Sequence, residues 1–349
     1  MMLIGMLHHR KDPRTVIKAY AYAVVAKAEG AEMIYFAPKG VNFEKETIKG
    51  FMYENGGWIE KEVRFPDVIY NTGSPEKLLP SANIINQLKQ RKIPFTTHSI
   101  GNKQSIYERL KEAGDFASYL IPTEVVTLPR HFFEFLYDYH KIIFKPLNGR
   151  KGKGIVLVES FQDHYKVLQG TDEQFWSTKE LRDFVSIKLR EEQYIVQPFI
   201  SCQTKSGHAF DFRLHVQKNG EGNWVITAIY PRIGPTGSIV ANINNGGATN
   251  YLEPFLKQEF DEDYYDIKRY LEQFALSLAN HLDELQQVKF GETIDELGMD
   301  VALDEFGKIW IFEVNWRPGC PPAFYLELDV VKNMIEYAMF LAKKSKVNN

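Results

Sequence analysis

Two carboxylates and an amide near the end of the chain have the spacing of a metal site. Residues 298–315 predict a strand, a tight turn and a second strand that ends in Glu313-Val-Asn315. Because successive strand residues point to opposite faces, Glu313 and Asn315 share one face, and Asp300 on the partner strand can lie beside them. Such oxygen ligands suit a hard cation that keeps some of its waters, and Mg²⁺ bridging nucleotide phosphates fits best. The other interpretation is a solvated hairpin with acids on its outer face.

The turn of this hairpin offers an alternative first ligand. Asp304 opens the turn, which runs to Lys308, and could replace Asp300 in the set. Phe312 and Val314 point to the other face of the second strand, where we expect them to fill a core.

A basic glycine-rich loop is the second feature that indicates phosphate chemistry. It consists of Gly149, Arg150, Lys151, Gly152, Lys153 and Gly154. Its backbone N–H groups and cations could surround phosphate oxygens. It is neither a Walker A loop, because no Lys-Ser or Lys-Thr follows in register, nor a Rossmann turn, because a strand follows it. Between antiparallel strands it would fold as a flap over a nucleotide, or be a basic surface hairpin.

Charged side chains on other predicted strands extend this chemistry. Lys145 ends an apolar strand, where a buried ammonium group needs a partner such as a phosphate or must reach solvent. Asp211 and Arg213 share a strand face, so an ion pair between them could orient Arg213. Arg213 and Arg232, on the two strands of one predicted hairpin, could bind a transferring phosphate, or all three residues could form structural salt bridges.

A polar glycine turn follows this hairpin. It contains Asn242, Gly246 and Gly247 and could present N–H groups to a developing negative charge, or be an ordinary loop. The chain has no convincing Ser-His-Asp or Cys-His set.

Size and composition limit the class of protein. The 349 residues suffice for two or three domains, and 44% hydrophobic with 25% charged residues is typical of a globular protein. A net charge of −3 and a pI near 6.3 argue against a nucleic-acid-coating surface. Cys202 and Cys320 make no disulfide framework, which indicates a reducing compartment. The apolar run from Met1 to Leu7 is too short for a signal peptide, so we expect a soluble cytosolic protein.

Residues 3–97 alternate strand and helix patterns, which favours a small parallel sheet with covering helices. No Gly-x-Gly-x-x-Gly follows the first strand, so a dinucleotide site is not expected there. The predicted strands are Leu3 to Leu7, Glu32 to Phe36, Trp58 to Phe65 and Val68 to Tyr70, and the predicted helices are Arg14 to Ala28 and Ser81 to Lys92, the second capped by Ser81.

The pattern changes after Ser99. The proline at Pro198 predicts an edge strand or a hinge. The predicted strands are Ile142 to Pro146, Ile155 to Val158, Tyr194 to Ile200, Ala209 to Val216 and Trp224 to Tyr230, and the helices are Gly101 to Leu110, Asp266 to Leu285 and Asp329 to Lys344.

The order and spacing of these residues resemble the ATP-grasp superfamily. The resemblance covers about residues 98–322, and the whole chain is similar to the endospore-coat-associated (YheC/YheD-type) group of spore-forming bacteria. It implies a mixed α/β, ATP-grasp fold: an N-terminal pre-ATP-grasp α/β domain at 1–97, a central subdomain with the glycine-rich lid at 98–200, and a C-terminal subdomain with the metal-binding hairpin at 201–349.

The resemblance also implies roles for individual residues. Lys103 and Lys145 match the two nucleotide lysines, and Gly149 to Gly154 match the phosphate lid. Gln197, Phe199 and Ile200 match the hinge beside the adenine, Asp211 matches a further part of the nucleotide site, and Gly246 and Gly247 match the substrate-side turn of that site. Arg213, Arg232 and Asn242 match catalytic positions, and Asp300, Glu313 and Asn315 match the Mg²⁺ ligands. No ribose-binding acid is evident near the hinge, and residues 160–193 carry no assignable motif.

The implied function is an ATP-dependent carboxylate–amine ligase that works through an acyl phosphate and releases ADP and phosphate. It would use ATP with Mg²⁺, or alternatively Mn²⁺, to join an amino acid to a peptide or amino-acid acceptor. The alternatives are a non-catalytic nucleotide-binding scaffold of the spore coat and an ATP-grasp kinase. We expect small-molecule or peptide substrates, spore-coat proteins as further partners, a cytoplasmic or spore-coat-associated location, and no nucleic acid or membrane partner.

Overall fold

The computed structural model describes residues 1–72, 79–101, 103–147, 154–239, 241, 246–316, 318 and 327–347. These residues form three β-sheets with covering helices, a mixed α/β architecture. Within these ranges no helix is both long and apolar enough to cross a membrane.

The N-terminal sheet has seven strands in the order β3-β4-β2-β1-β6-β7, with β5 paired to β4. Its strands are β1 (Met2–Leu7), β2 (Ala31–Phe36), β3 (Val41–Asn42), β4 (Thr47–Glu54), β5 (Gly57–Arg64), β6 (Val68–Asn71) and β7 (Phe95–Thr96). The half formed by β2, β1, β6 and β7 is parallel, as expected, whereas β3, β4 and β5 are antiparallel. The sheet is therefore mixed.

A hairpin that the sequence analysis missed explains this difference. Strands β4 and β5 are joined by Asn55 and Gly56, which adopt φ angles of 48° and 82°. An Asn-Gly pair is favoured in such two-residue turns because both residues tolerate positive φ. This dipeptide was the signal for the hairpin.

The first two helices begin away from their predicted starts. Helix α1 (Ile17–Ala28) follows a short 3-10 turn at Pro13–Thr15, where the Asp12 carboxylate accepts a hydrogen bond from the Arg14 N–H. Helix α2 (Leu79–Gln90) already includes Ser81 as a buried third residue, so the predicted Ser81 cap is wrong.

The middle sheet is antiparallel, with strand order β12-β11-β10-β9-β13-β8. It contains β8 (Glu124–Val126), β9 (Lys141–Pro146), β10 (Val156–Ser160), β11 (Tyr165–Gln169), β12 (Asp172–Trp176) and β13 (Tyr194–Pro198), with helices α4 (Pro129–Tyr139) and α5 (Thr178–Glu191). Helix α3 (Lys103–Ala113) precedes this sheet in sequence but packs on the C-terminal sheet, where its Ile106 and Leu110 join the core. The segment 160–193, which carried no motif, supplies β11, β12 and α5, and a capping box between Ser177 and Glu180 starts α5.

Strand β13 is not an edge strand, because β9 and β8 flank it. Pro198 is nevertheless tolerated there. The next residue, Phe199, donates its N–H to the Lys141 carbonyl in β9, so the Pro198 nitrogen faces the other side, beyond the last β8 pair at Val196.

The C-terminal sheet has the strand order β16-β15-β14-β17-β18. It contains β14 (Phe210–Lys218), β15 (Trp224–Ile233), β16 (Ala248–Thr249), β17 (Glu296–Leu303) and β18 (Ile309–Asn315), with helices α6 (Leu252–Phe260), α7 (Tyr264–Phe290) and α8 (Glu327–Val347). One face of β14 carries Phe212, Leu214 and Val216, which are fully buried in one core cluster with residues of α7. The opposite face of β14 carries the polar residues Asp211, Arg213, His215 and Gln217, which are also buried.

Helix α8 packs on the N-terminal sheet, although it is the last helix of the chain. Its Met334, Ile335 and Ala338 share a core cluster with Ile4 and Met6 of β1. The chain thus returns from the C-terminal sheet to complete the core of the first.

Candidate active site

Residues of the middle and C-terminal sheets line a cavity of about 500 Å³. The middle sheet contributes alternate residues of β9 and β13: Ile143, Lys145, Ile195 and Gln197. The C-terminal sheet contributes Asp211, Arg232, Asp300 and Glu313, and Phe199 and Ile200 lie between the two groups in sequence. Eight of the predicted site residues therefore line one cavity.

The charged wall of this cavity is a ladder of cross-strand pairs. Asp211 lies directly opposite Arg232, Arg213 opposite Asp300, and Asp300 opposite Glu313, so the ladder crosses β15, β14, β17 and β18. Strand register alone places these side chains together, since directly opposed residues point to the same face of a sheet.

Two bidentate ion pairs hold this ladder. Arg232 donates from Nε and Nη2 to Asp211 at 2.6 and 2.7 Å, and Arg213 donates from Nε and Nη2 to Asp300, the second at 3.1 Å. Arg232 Nη2 also lies 3.0 Å from Asp300 Oδ2. The predicted ion pair between Asp211 and Arg213 is wrong: each residue pairs across to the neighbouring strand, because a bidentate guanidinium–carboxylate contact needs side chains that face each other.

Burial and ion pairing act against each other on the pKa values of these pairs. The four side chains are only 9–13% exposed. Burial raises the pKa of Asp211 to about 6, although Arg232 and Arg213 oppose the shift. The carboxylates of Asp300 and Asp211 outweigh desolvation at Arg232 and raise its pKa. Burial also raises the pKa of Tyr230, the β15 residue opposite Arg213. Arg232 is thus held as a cation on the cavity wall.

A β-bulge shapes the strand that carries Glu313. Asp300 pairs with Glu313 but Val301 pairs with Ile311, so Phe312 is the extra residue. Phe312 is 39% exposed and lines the cavity, whereas Val314 is buried. The expectation that Phe312 fills a core is therefore wrong. Asn315 lies opposite Gly298, on the same side of the hairpin as Glu313.

Asp304 belongs to the hairpin turn. Its Oδ1 accepts hydrogen bonds from the Phe306 and Lys308 N–H groups at 3.0 and 2.9 Å, and its Oδ2 accepts one from the Trp310 indole at 2.7 Å. Asp304 does not line the cavity lined by Asp300 and Glu313. The geometry favours Asp300 as the first ligand.

Several predicted residues lie wholly or partly outside the described residues. Lys103 is the first residue of α3, but its side chain is not described. Gly154, the last residue of the predicted glycine-rich loop, has φ +75°, and an added Cβ there would lie 2.9 Å from Pro146 Cγ. Gly246 and Gly247 immediately precede β16, and Gly246 has φ +86°. The predicted residues outside the described ranges are Gly149, Arg150, Lys151, Gly152, Lys153 and Asn242.

Sequence reasoning missed the cavity residues that precede β8. Tyr107 on α3, Ile121 and Thr123 all line the cavity. Gln197 Nε2 donates to Thr123 Oγ1 at 2.7 Å. The only signal in the sequence was the Ile121-Pro122-Thr123 segment between α3 and β8. Nothing in that segment indicates that Thr123 contacts Gln197, which lies 74 positions later in the chain.

The sequence matches a family model over most of its length. The model is described as YheC/D-like ATP-grasp and matches residues 92–341. The chain belongs to this family. The ATP-grasp fold and the resemblance expected from the sequence are confirmed.

Members of the YheC/D-like ATP-grasp family in Bacillus subtilis (strain 168) are recognisably similar. Endospore coat-associated protein YheD is 25% identical over 334 residues, which cover 90% of this chain and 72% of YheD. Endospore coat-associated protein YheC is 26% identical over 310 residues, which cover 83% of this chain and 81% of YheC.

Solved structures share the fold at low sequence identity. The ATP-grasp ligase PsnB, complexed with a minimal precursor, has a TM-score of 0.56 and 12% identity, and the match covers 98% of this chain and 99% of PsnB. D-alanyl-alanine synthetase A from Vibrio cholerae has a TM-score of 0.52 and 12% identity, covering 99% and 97% of the two chains. These likenesses concern the ATP-grasp fold.

The donor chemistry of the hairpin fits Mg²⁺. Asp300 and Glu313 face each other on the cavity wall, with the Asn315 amide farther along β18. Asp300 accepts three guanidinium N–H contacts, which leaves one lone pair of its carboxylate for a cation. Among the described residues no group of three His, Cys, Asp or Glu side chains could hold a metal ion. The expected ligand set is of another kind, because it combines two carboxylates, Asp300 and Glu313, with the amide of Asn315.

Proposed function

We propose that the protein is an ATP-dependent carboxylate–amine ligase that works through an acyl phosphate. The observation that carries this proposal is one cavity lined by Lys145 from the middle sheet and by Arg232, Asp300 and Glu313 from the C-terminal sheet. Arg213 does not line the cavity itself, but it pairs with Asp300, which does. A lysine from one sheet and an arginine from the other suit a chain of phosphates between them.

The chemistry requires charge neutralisation and alignment more than a reactive side chain. A substrate carboxylate attacks the γ-phosphate of ATP to form an acyl phosphate and ADP; an amine then attacks the acyl carbon, an amide bond forms and phosphate leaves. Mg²⁺, when bound by Asp300, Glu313 and Asn315, would neutralise phosphate charge. Lys145 and Arg232 would hold the phosphates, while Arg213, fixed by Asp300, would face the transferring group.

The adenine end of the site would be the hinge after β13. The Phe199 N–H already donates to the Lys141 carbonyl at 2.9 Å, and Pro198 has no N–H. The Ile200 N–H would therefore meet the adenine edge, beside the Gln197 side chain that lines the cavity. Gly149 to Lys153 would close over the phosphates, and Asn242 with Gly246 and Gly247 would contact the substrate side.

A spore-coat peptide or protein is our proposed acceptor. Two relatives are endospore coat-associated proteins, and PsnB has been solved with the precursor peptide PsnA2. A peptide carboxylate and an amino acid are the chemical class of substrates that this mechanism joins. We propose that the protein acts in the cytoplasm of the spore-forming cell or at the coat.

Product analysis tests this function. We expect the protein, incubated with Mg-ATP and pooled amino acids and peptides, to release ADP and phosphate in a substrate-dependent way and to form a new amide mass. Glu313→Gln should reduce turnover by 10²-fold or more, on the order of the loss of one preorganised charge contact. Glu305→Gln, on the exposed turn of the same hairpin, is the matched control and should retain full activity.

Other outcomes would favour different functions. ATP binding without turnover in any substrate pool would indicate a nucleotide-binding scaffold. Phosphorylated substrate without an amide would indicate a kinase. Full activity of Glu313→Gln at limiting Mg²⁺ would refute the proposed metal site.

A further inference from the structure

A hydrogen-bond relay leads from the loop before β8 to the cavity wall. Gln197 Nε2 donates to Thr123 Oγ1 at 2.7 Å, and Thr123 Oγ1 donates to the Ile121 carbonyl at 2.8 Å. The Tyr107 hydroxyl donates to the same carbonyl at 3.3 Å. All four residues line the cavity.

The single proton of the Thr123 hydroxyl gives this relay a direction. Because that proton goes to the Ile121 carbonyl, Thr123 Oγ1 can only accept from Gln197, so the amide nitrogen of Gln197 must face Thr123. With the amide flipped, Thr123 would have to donate to Gln197 Oε1 and would lose its bond to Ile121. The observed orientation therefore has one more hydrogen bond than the flipped one, and it turns the amide oxygen away from Thr123.

The surroundings of Gln197 are suited to a flat, apolar ring. Its cross-strand neighbour is Ile143, and both Ile195 on the same strand and its β8 partner Val125 line the cavity. The next cross-strand pair on this face joins Ile195 to Lys145. A nucleotide with its phosphates at Lys145 would accordingly have its base near Gln197.

We propose that Thr123 is a positioning residue that fixes the Gln197 amide with its oxygen as an acceptor, so that the site selects a 6-amino purine over a 6-oxo purine. This inference rests on the proposed nucleotide site and adds its base specificity. A 6-amino group donates to the amide oxygen. A 6-oxo group would meet that oxygen as a second acceptor, or would force the flip that breaks the Thr123–Ile121 bond.

The test compares the binding of ATP and inosine triphosphate by calorimetry. The wild-type protein should bind ATP more tightly. Thr123→Val keeps the shape of the side chain but frees the amide to rotate, and should lower the ratio of the two affinities by about 2- to 10-fold, as expected for one net hydrogen bond. Thr123→Ser, the matched control, keeps the hydroxyl and should keep the ratio.

A second variant should change the ratio of the two affinities in the opposite direction. Gln197→Glu has acceptors at both positions and cannot present a donor to a 6-oxo group, so it should raise the preference for ATP. If Thr123→Val bound both nucleotides more weakly by the same factor, or left the ratio of affinities unchanged, Thr123 would act only through packing. Either result would overturn the inference. Wild-type protein that binds both nucleotides equally would also overturn it, whereas protein that binds neither would refute the nucleotide site itself.

Discussion

Arg213 and Arg232 are held in position by carboxylates rather than by a ligand. Each guanidinium makes two contacts to an aspartate on the opposite strand, and the Arg213 Nη1 also donates to the Pro318 carbonyl at 3.1 Å. A cation that is already oriented needs little reorganisation when a phosphate arrives, which is the main way in which a site of this kind stabilises a transition state.

Lys145 should contribute strongly to ATP affinity. It is half-buried on the cavity wall, at the end of the strand that leads into the lid. Lys145→Ala removes a charge-assisted contact worth about 1.5–3 kcal/mol, so ATP affinity measured by calorimetry should fall roughly 10- to 150-fold.

A lysine away from the cavity provides the control for this experiment. Lys166 on β11 makes an ion pair with Glu173 at 2.7 Å and does not line the cavity. Lys166→Ala should bind ATP like the wild type. If folded Lys145→Ala bound ATP with wild-type affinity, the assignment of Lys145 to the nucleotide site would be wrong.

At the scale of elements, close packing at a glycine positions the end of the β17–β18 hairpin. An added Cβ at Gly298 of β17 would lie 2.2 Å from Pro318 Cβ and 3.2 Å from Arg213 Nη1. Only glycine lets the segment after β18 cross β17 at this distance.

Gly298→Ala should therefore destabilise the protein. Displacing Pro318 also weakens its hydrogen bond with Arg213, and overpacking of this kind costs about 1–3 kcal/mol. Urea denaturation followed by fluorescence should show a lower midpoint. Gly57→Ala on β5, where an added Cβ meets nothing within 4 Å, should shift the midpoint little. Equal midpoints for the two variants would contradict this account of Gly298.

At the scale of the whole molecule, ion pairs join distant parts of the chain. Asp67 accepts hydrogen bonds from the Leu3 N–H at 2.8 Å and from Arg64 at 2.7 Å, and its other oxygen lies 3.0 Å from Lys346 Nζ on α8. Burial acts to raise the pKa of Asp67, but these donors lower it to about 2. Because the folded-state value lies below the ordinary 3.8, the charged form stabilises the fold above about pH 4, and that stabilisation is lost as the pH falls towards 2.

Asp67→Asn should reveal this contribution through its pH dependence. At pH 7 the variant should be less stable than the wild type by about 1–2 kcal/mol, and the difference should shrink towards zero between pH 4 and pH 2. Denaturant titrations across this range measure the difference. Asp163→Asn changes an exposed carboxylate and serves as the control. A difference that does not change with pH would show that Asp67 acts through packing instead of charge.

Much of the site follows from local patterns. The alternation of side chains along a strand correctly put Glu313 and Asn315 on one side of a hairpin that Asp300 shares, and most predicted strands lie within a few residues of their observed bounds. Two local signals were overlooked, the Asn55-Gly56 turn and the bulge at Phe312. The first could have been found from the dipeptide, but the second depends on how two strands align.

The sequence by itself determined the strands that carry the charged site residues, the order of those residues and the ATP-grasp family, because each depends on local periodicity or on a linear pattern. Only the tertiary structure decided the partners: Arg213 bonds Asp300 across 87 positions, Gln197 bonds Thr123 across 74, and α8 packs on β1. Such contacts depend on the register of strands and the docking of elements far apart in the chain. Burial makes that register specific, because a slip of one residue would turn every side chain of a strand to the wrong face.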